Sequence, residues 1–300
     1  MKSKLWLNLA LLVVVILLST IVIFKPGVET ENKLNTLTNL KANDIQHILI
    51  QRKHGLDIEF IKQDQYWRMI QPVGMPADNF RLNSLLNLVE TSVYSQHNLL
   101  QLDSKTYGLD SPRATLILNH KTKIYFGATE ALHKRRYLSI EDNLFTTDDL
   151  YYYQMAADFS LYLDPALLPP DSKIKQLRLP DFELIRKEGS WLRQPMNPQL
   201  SVDTDVELID TWQNAAALKI ELVEKSPSLD TNVIIYLENN DKPLLMYYHT
   251  DNDHHYLTRF DNSIRYTIPV DIAIKLALHN ESGSEKSDAN TGTESDKLDN

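Results

Sequence analysis

Hydrophobic and polar positions divide the chain into three regimes. Between Leu5 and Phe24 the run LWLNLALLVVVILLSTIVIF holds no charged residue. A helix of this length, rising about 1.5 Å per residue, spans the roughly 30 Å hydrocarbon core of a bilayer, so the run predicts a transmembrane anchor. A cleaved signal peptide has a shorter apolar region followed by a small-x-small site; this run exits instead through Ile23, Phe24, Lys25 and Pro26. Lys2 and Lys4 lie on the short N-terminal side. By the positive-inside rule they put the N-terminus in the cytoplasm and the bulk of the chain outside it.

Beyond the anchor the pattern becomes short alternating runs, and the same order is written twice. Glu59–Pro72 (EFIKQDQYWRMIQP) and Glu183–Pro195 (ELIRKEGSWLRQP) align Trp67 with Trp191 and Pro72 with Pro195. Each reads as two strands around a polar tight turn, Gln63-Asp64-Gln65 in one and Glu188-Gly189-Ser190 in the other. A helix follows each proline. Asp78 caps the first, ahead of Leu82, Leu85, Leu86 and Val89; Thr204 and Glu207 form a capping-box pattern in the second, which buries Leu208, Ile209, Trp212 and Ala216. Later, Tyr137–Asn143 stands opposite Tyr256–Asn262, with an Asp-Asn pair between strand-like runs where a hairpin turn is expected. Strand patterns at Thr115–Leu118, Lys123–Phe126, Val233–Glu238 and Leu244–His249, with short helices near Asp148–Ala157 and Val270–Leu278, complete the units. The predicted fold is α+β: an N-terminal transmembrane helix followed by two tandem, similar units of antiparallel sheet plus helices.

Polar and proline-rich stretches place the boundaries. The cytoplasmic stub and anchor take residues 1–25, a linker 26–43, the first unit 44–164 and the second 173–278. Residues 165–172 connect the units, because Pro169-Pro170-Asp171 cannot continue a helix. Residues 279–300 hold almost nothing apolar and are expected as a disordered acidic tail. A formal net charge of −9 leaves no excess of Lys and Arg to neutralise phosphates, so no nucleic-acid partner is expected. The absence of cysteine removes disulfides, thiolate nucleophiles and cysteine metal ligands.

The segment Tyr107-Gly108-Leu109-Asp110-Ser111-Pro112 is similar to the signature of a bacterial family, domain-of-unknown-function family 4340. Other family-like features surround it: Trp67–Pro72, Ala77-Asp78 with Arg81 and Leu85, Phe126-Gly127, and Arg136-Tyr137. The resemblance covers Ile45 to Leu163 and extends more loosely to the second copy, which has no Tyr-Gly-Leu-Asp segment. It implies an N-terminal membrane helix and an envelope accessory subunit, since many members are encoded beside ABC-type export or gliding-motility auxiliary proteins. It supplies no catalytic residue. The segment also has a structural reading: Gly108 can take the left-handed conformation that ends a turn, and Pro112 holds Ser111 extended before the next strand.

Candidate chemistry is sparse. Asp251-Asn252-Asp253-His254-His255 alternates carboxylates and imidazoles of the kind that ligate divalent metals. It falls where a hairpin turn is expected, and adjacent histidines on a strand point to opposite faces, so no metal site is assigned. His47, His54, His97, His120 and His133 are dispersed, and Tyr151-Tyr152-Tyr153 reads as the start of a helix packing on a sheet. No Gly-rich phosphate loop, His-Glu-x-x-His helix or Gly-x-Ser-x-Gly elbow occurs. The expectation is a non-enzymatic periplasmic protein, without catalytic, cofactor or metal residues, anchored in the bacterial inner membrane through residues 5–24. It would bind another envelope or membrane protein, as an accessory subunit of an ABC-type transport or export assembly. An envelope hydrolase, or a glycan or lipid binder with a cleft between the repeats, is the alternative; a purely structural spacer is a third.

Overall fold

The computed structural model describes residues 36–223, 232–238, 240–261 and 263–278, together with Trp6, residues 11–16 and Ser19 of the N-terminal run. These N-terminal residues are helical; the rest of the expected anchor and the expected tail at 279–300 lie outside the described residues. Among the described residues no helix is long and apolar enough to cross a membrane.

Alternating apolar residues build two sheets. The first holds β1 (His47–Arg52), β2 (Ile58–Gln63), β3 (Tyr66–Gln71), β4 (Met75–Pro76), β5 (Ser95–Asn98), β6 (Ala114–Leu118), β7 (Thr122–Thr129), β8 (Arg136–Ile140) and β9 (Asn143–Thr147). The second holds β10 (Ile174–Arg178), β11 (Glu183–Lys187), β12 (Ser190–Gln194), β13 (Lys219–Leu222), β14 (Val233–Leu237), β15 (Leu244–Asp251), β16 (His254–Arg259) and β17 (Ile264–Ile268). Helices α1 (Asn79–Leu86) and α2 (Leu150–Ala156) belong to the first unit, and α3 (Val202–Asn214) and α4 (Val270–Lys275) to the second.

The first sheet runs β4-β3-β2-β1-β6-β7-β8-β9-β5 and the second β12-β11-β10-β14-β15-β16-β17-β13. Apart from the two-residue β4, the orders correspond strand for strand, and the strands pair antiparallel. Both units also carry a cis Gln-Pro bond after the matched hairpin, at Gln71-Pro72 and Gln194-Pro195. The protein is therefore α+β, with two similar sheets. In β6 and β14 every second residue is buried, as expected for strands with one face in a core. Helices α1 and α2 cover the first sheet against β3, β6 and β1; α3 and α4 cover the second against β12, β10 and β16.

Several local expectations shift. Asp78 caps α1 as expected, accepting from the backbone N–H groups of Phe80 and Arg81, and Val89 is buried in a 3-10 turn beyond the helix end. The second helix starts earlier than the capping-box pattern suggests. Ser201 is its N-cap, accepting from Thr204 N–H, and the helix ends at Asn214, so Ala216 lies outside it. An earlier Ser is the better start because it frees Asp205 to enter the interior, where it pairs with Arg193. In the hairpin after β8, Glu141 takes the positive φ of 50° and Asn143 begins the next strand; Asn262 of the other copy lies outside the described residues.

Stretches read as connections are packed. Leu37 is buried and donates its N–H to Thr91 O, while Thr36 bridges Ser92, so the end of the 26–43 segment docks on the first unit. Leu167 and Leu168 are buried between the units, Ala166 bridges Ala216, and Leu167 N–H donates to Ala215 O. Ala77 bridges Leu163 and Tyr66 Oη donates to Asp171 at 2.9 Å, so one continuous set of buried side chains runs from Leu37 to Leu276.

Candidate functional site

The family-like residues of the first unit converge on one spot. Asp103 accepts from Lys105 N–H and starts the turn Ser104–Tyr107, which Gly108 ends at φ 66°. A Cβ on Gly127 in β7 would lie 2.3 Å from the Tyr107 carbonyl oxygen and 3.1 Å from the Leu109 side chain. The Tyr107–Leu109 segment thus lies directly on β7, where the register with β8 shifts between Phe126 and Thr129. Arg136, opening β8, donates from Nη1 to Gly127 O at 2.7 Å and grips Asp149 through Nε and Nη2 at 2.7 and 3.0 Å. Its guanidinium lies 4.0 Å from the Tyr152 ring centroid, and Tyr107 meets Tyr137 edge-on at 4.9 Å. Asp149 also accepts from Thr129 Oγ1 at 3.2 Å. Arg136 and Asp149 thus satisfy one another and tie β8 to β7 and to the start of α2 as a brace.

Gly127→Ala is expected to lower stability by about 1–3 kcal/mol through overpacking against a backbone oxygen that cannot rotate away. The midpoint of chemical unfolding measures it; an unchanged midpoint would mean that the Tyr107–Leu109 segment is not seated on β7.

The outer faces of α1 and α2 enclose a groove of about 300 Å3. Phe80 is 82% exposed, Tyr153 70%, Leu150 63% and Leu161 48%. Of the Tyr151–Tyr153 run, Tyr151 and Tyr152 pack against the core as expected, whereas Tyr153 faces out. In the second unit the corresponding groove between α3 and α4 mixes Leu200, Leu208 and Ile274 with Arg193, Glu207 and Lys275. Where α1 has Phe80 as its second residue, α3 has Asp203. The second unit also exposes apolar residues around α3, Val202 at 61% and Leu200 and Val206 at 40%, so what sets the first groove apart is its exposed aromatic side chains, Phe80 and Tyr153.

A cleft of about 320 Å3 opens at the junction of the units, beside Phe80. Its acids are engaged: Asp78 caps α1, and Asp164 accepts from Ala166 N–H at 3.0 Å.

The histidines are less scattered than the sequence suggests. His47 and His120 stack at 3.5 Å, and His47 Nε2 lies 2.6 Å from a Glu59 carboxylate oxygen. They meet because β1 pairs β6, whose closing turn at Asn119 and His120 has positive φ. On the second sheet Tyr247, His249, Tyr256 and His254 stack in a row at 5.2, 5.2 and 6.1 Å. Burial, helped by the Arg265 charge, holds the His249 imidazole below the ordinary histidine pKa and favours its neutral form. In the Asp251–His255 segment, Asn252 and Asp253 form the turn, His254 Nδ1 lies 2.8 Å from Asn252 O, and His255 Nδ1 pairs with Tyr248 Oη at 2.7 Å. Among the described residues no group of three or more His, Cys, Asp or Glu is placed to hold a metal ion.

No curated protein and no solved structure matches the chain. A family model does: the one described as "Domain of unknown function (DUF4340)" matches residues 67–231, from β3 of the first unit into the second. This stretch contains the Tyr107–Pro112 segment, Gly127 and the Arg136 brace. With more than half of its 300 residues matched, the chain belongs to the DUF4340 family.

Proposed function

We propose that this protein is a membrane-anchored periplasmic module that binds another envelope protein, as an accessory subunit of an ABC-type transport or export assembly. The observation that carries the reading is the groove between α1 and α2, where Phe80, Leu150, Tyr153 and Leu161 present apolar surface to solvent. Clustered exposed aromatic and aliphatic side chains are characteristic of protein-binding surfaces. The occupant we assign is an apolar segment of a neighbouring membrane protein. Residues 25–35 can extend by at most about 40 Å, and the chain then docks at Thr36 on Ser92, a short way past the end of α1. The apolar run 5–24 would therefore hold the groove within reach of other membrane subunits, with the N-terminus in the cytoplasm.

The test is in-cell photocrosslinking of the full chain from Phe80 and Tyr153, with Asp203 of the second unit as the control position. An identified membrane-transport subunit should be captured from the first pair and not from the control. Phe80→Asp, at an exposed position, should leave unfolding unchanged while reducing capture by about tenfold, equivalent to ~1.4 kcal/mol of binding. Capture only of further copies of the chain, or equal capture from Asp203, would overturn the reading.

A further inference from the structure

The first unit concentrates positive charge at one cavity in an otherwise acidic chain. Where β1 ends, Arg52, Lys53 and His54 follow one another, and Arg113 stands beside them just before β6, because Lys53 N–H donates to Arg113 O at 3.1 Å. Together with Tyr152 and Met155 of α2 they line a cavity of about 300 Å3. None of Arg52, Lys53, His54 and Arg113 forms an ion pair among the described residues. The nearby Asp57 accepts from the Arg52 backbone N–H rather than from its guanidinium.

Arg52 is fixed without being neutralised. Its Nε donates to Leu56 O at 2.8 Å and its Nη1 to Ala157 O at 2.6 Å, so neutral carbonyls orient the guanidinium while its charge remains. Lys53 is aimed by a bond from Nζ to Ser111 Oγ at 2.9 Å, within the Tyr107–Pro112 segment. The second unit carries no charge at the matching place: Ile50 pairs with Leu116 as Leu177 pairs with Ile235, so Leu179 and Pro180 stand where Arg52 and Lys53 do.

We propose that this cavity binds a phosphate group. A phosphate carries up to two charges and several acceptor oxygens, and a small volume lined by two arginines and a lysine without counter-charges matches it better than it matches a neutral ligand. The apolar floor at Met155 and the Tyr152 ring limits how far water can screen the group. The phosphate could be a soluble phosphate compound or the headgroup of an anionic lipid, and the chemistry of recognition is shared.

The experiment follows acetylation of Lys53 by mass spectrometry in the full chain, reconstituted with phosphatidylcholine, using the exposed Lys187 as internal reference. Inorganic phosphate at roughly ten times its half-saturating concentration should slow Lys53 labelling by about tenfold relative to Lys187, since only the unliganded fraction reacts. Protection that appears on adding inorganic phosphate assigns a soluble source; protection that appears only when phosphatidylglycerol is included assigns the headgroup. Arg113→Gln, at an exposed position, should abolish either protection without changing the unfolding midpoint. A Lys53-to-Lys187 labelling ratio that neither addition changes, or protection that survives Arg113→Gln, would overturn the proposal.

Discussion

Replacing Arg136 with alanine is expected to destabilise the full chain by about 3–5 kcal/mol, the range for breaking a buried ion pair from one side. The side chain is 3% exposed and makes three bonds at once, two to Asp149 and one to Gly127 O. Its removal leaves a largely buried carboxylate without its cation and a backbone carbonyl without its donor. The Tyr152 ring also loses the guanidinium stacked on it. Arg136→Lys should recover only part of the loss, because an ammonium cannot span both carboxylate oxygens and the carbonyl together. Urea unfolding followed by circular dichroism reads the difference. A loss under about 1 kcal/mol would mean that the brace behaves as an exposed pair.

Trp212→Ala should cost a similar amount, about 3–5 kcal/mol, through a different mechanism. Trp212 is fully buried on α3, and its Nε1 donates to Leu276 O at 3.1 Å, tying α3 to the end of α4. Truncation leaves a cavity the size of an indole and a buried carbonyl without a partner. Trp212→Phe separates the two contributions, since it keeps most of the volume and loses only the hydrogen bond. The same unfolding measurement applies; if the Phe and Ala variants were equally destabilised, the hydrogen bond rather than the volume would be the dominant contribution.

Legibility in the sequence followed locality. The hairpins around Asp64 and Glu188-Gly189 were visible because a polar turn between alternating runs is a short-range signal, and these residues do take positive φ. Asp78 was visible for the same reason, as a side chain serving backbone groups two and three residues on. The strands β1, β4, β5, β10 and β13 were not among those expected. Ser95–Asn98 is polar because it lies at a sheet edge, and it pairs with β9, nearly fifty residues on in sequence. No local pattern encodes a partner so distant.

The candidate surfaces divide the same way. Tyr107–Pro112 and Gly127 could be singled out in the sequence, but only folding seats one on the other. Tyr153 reads in the sequence as part of a helix start packing on a sheet, and its exposure, like that of Phe80, depends on how α1 and α2 are turned relative to the sheet. His47 and His120 lie far apart along the chain and meet through strand pairing. The cationic cavity joins residues from the end of β1 to one before β6, which no window along the chain places together.

By itself the sequence determined the α+β class, the doubling of the unit, the Asp78 cap, the tight turns and membership of the family, because each rests on residue periodicity or on residues a few positions apart. The tertiary structure alone decided the sheet orders, the packing of residues 36–43 and 165–172, the Arg136 brace and the surfaces left open. Those depend on contacts between residues distant in sequence, where burial and charge compensation are settled by neighbours that the linear order does not reveal.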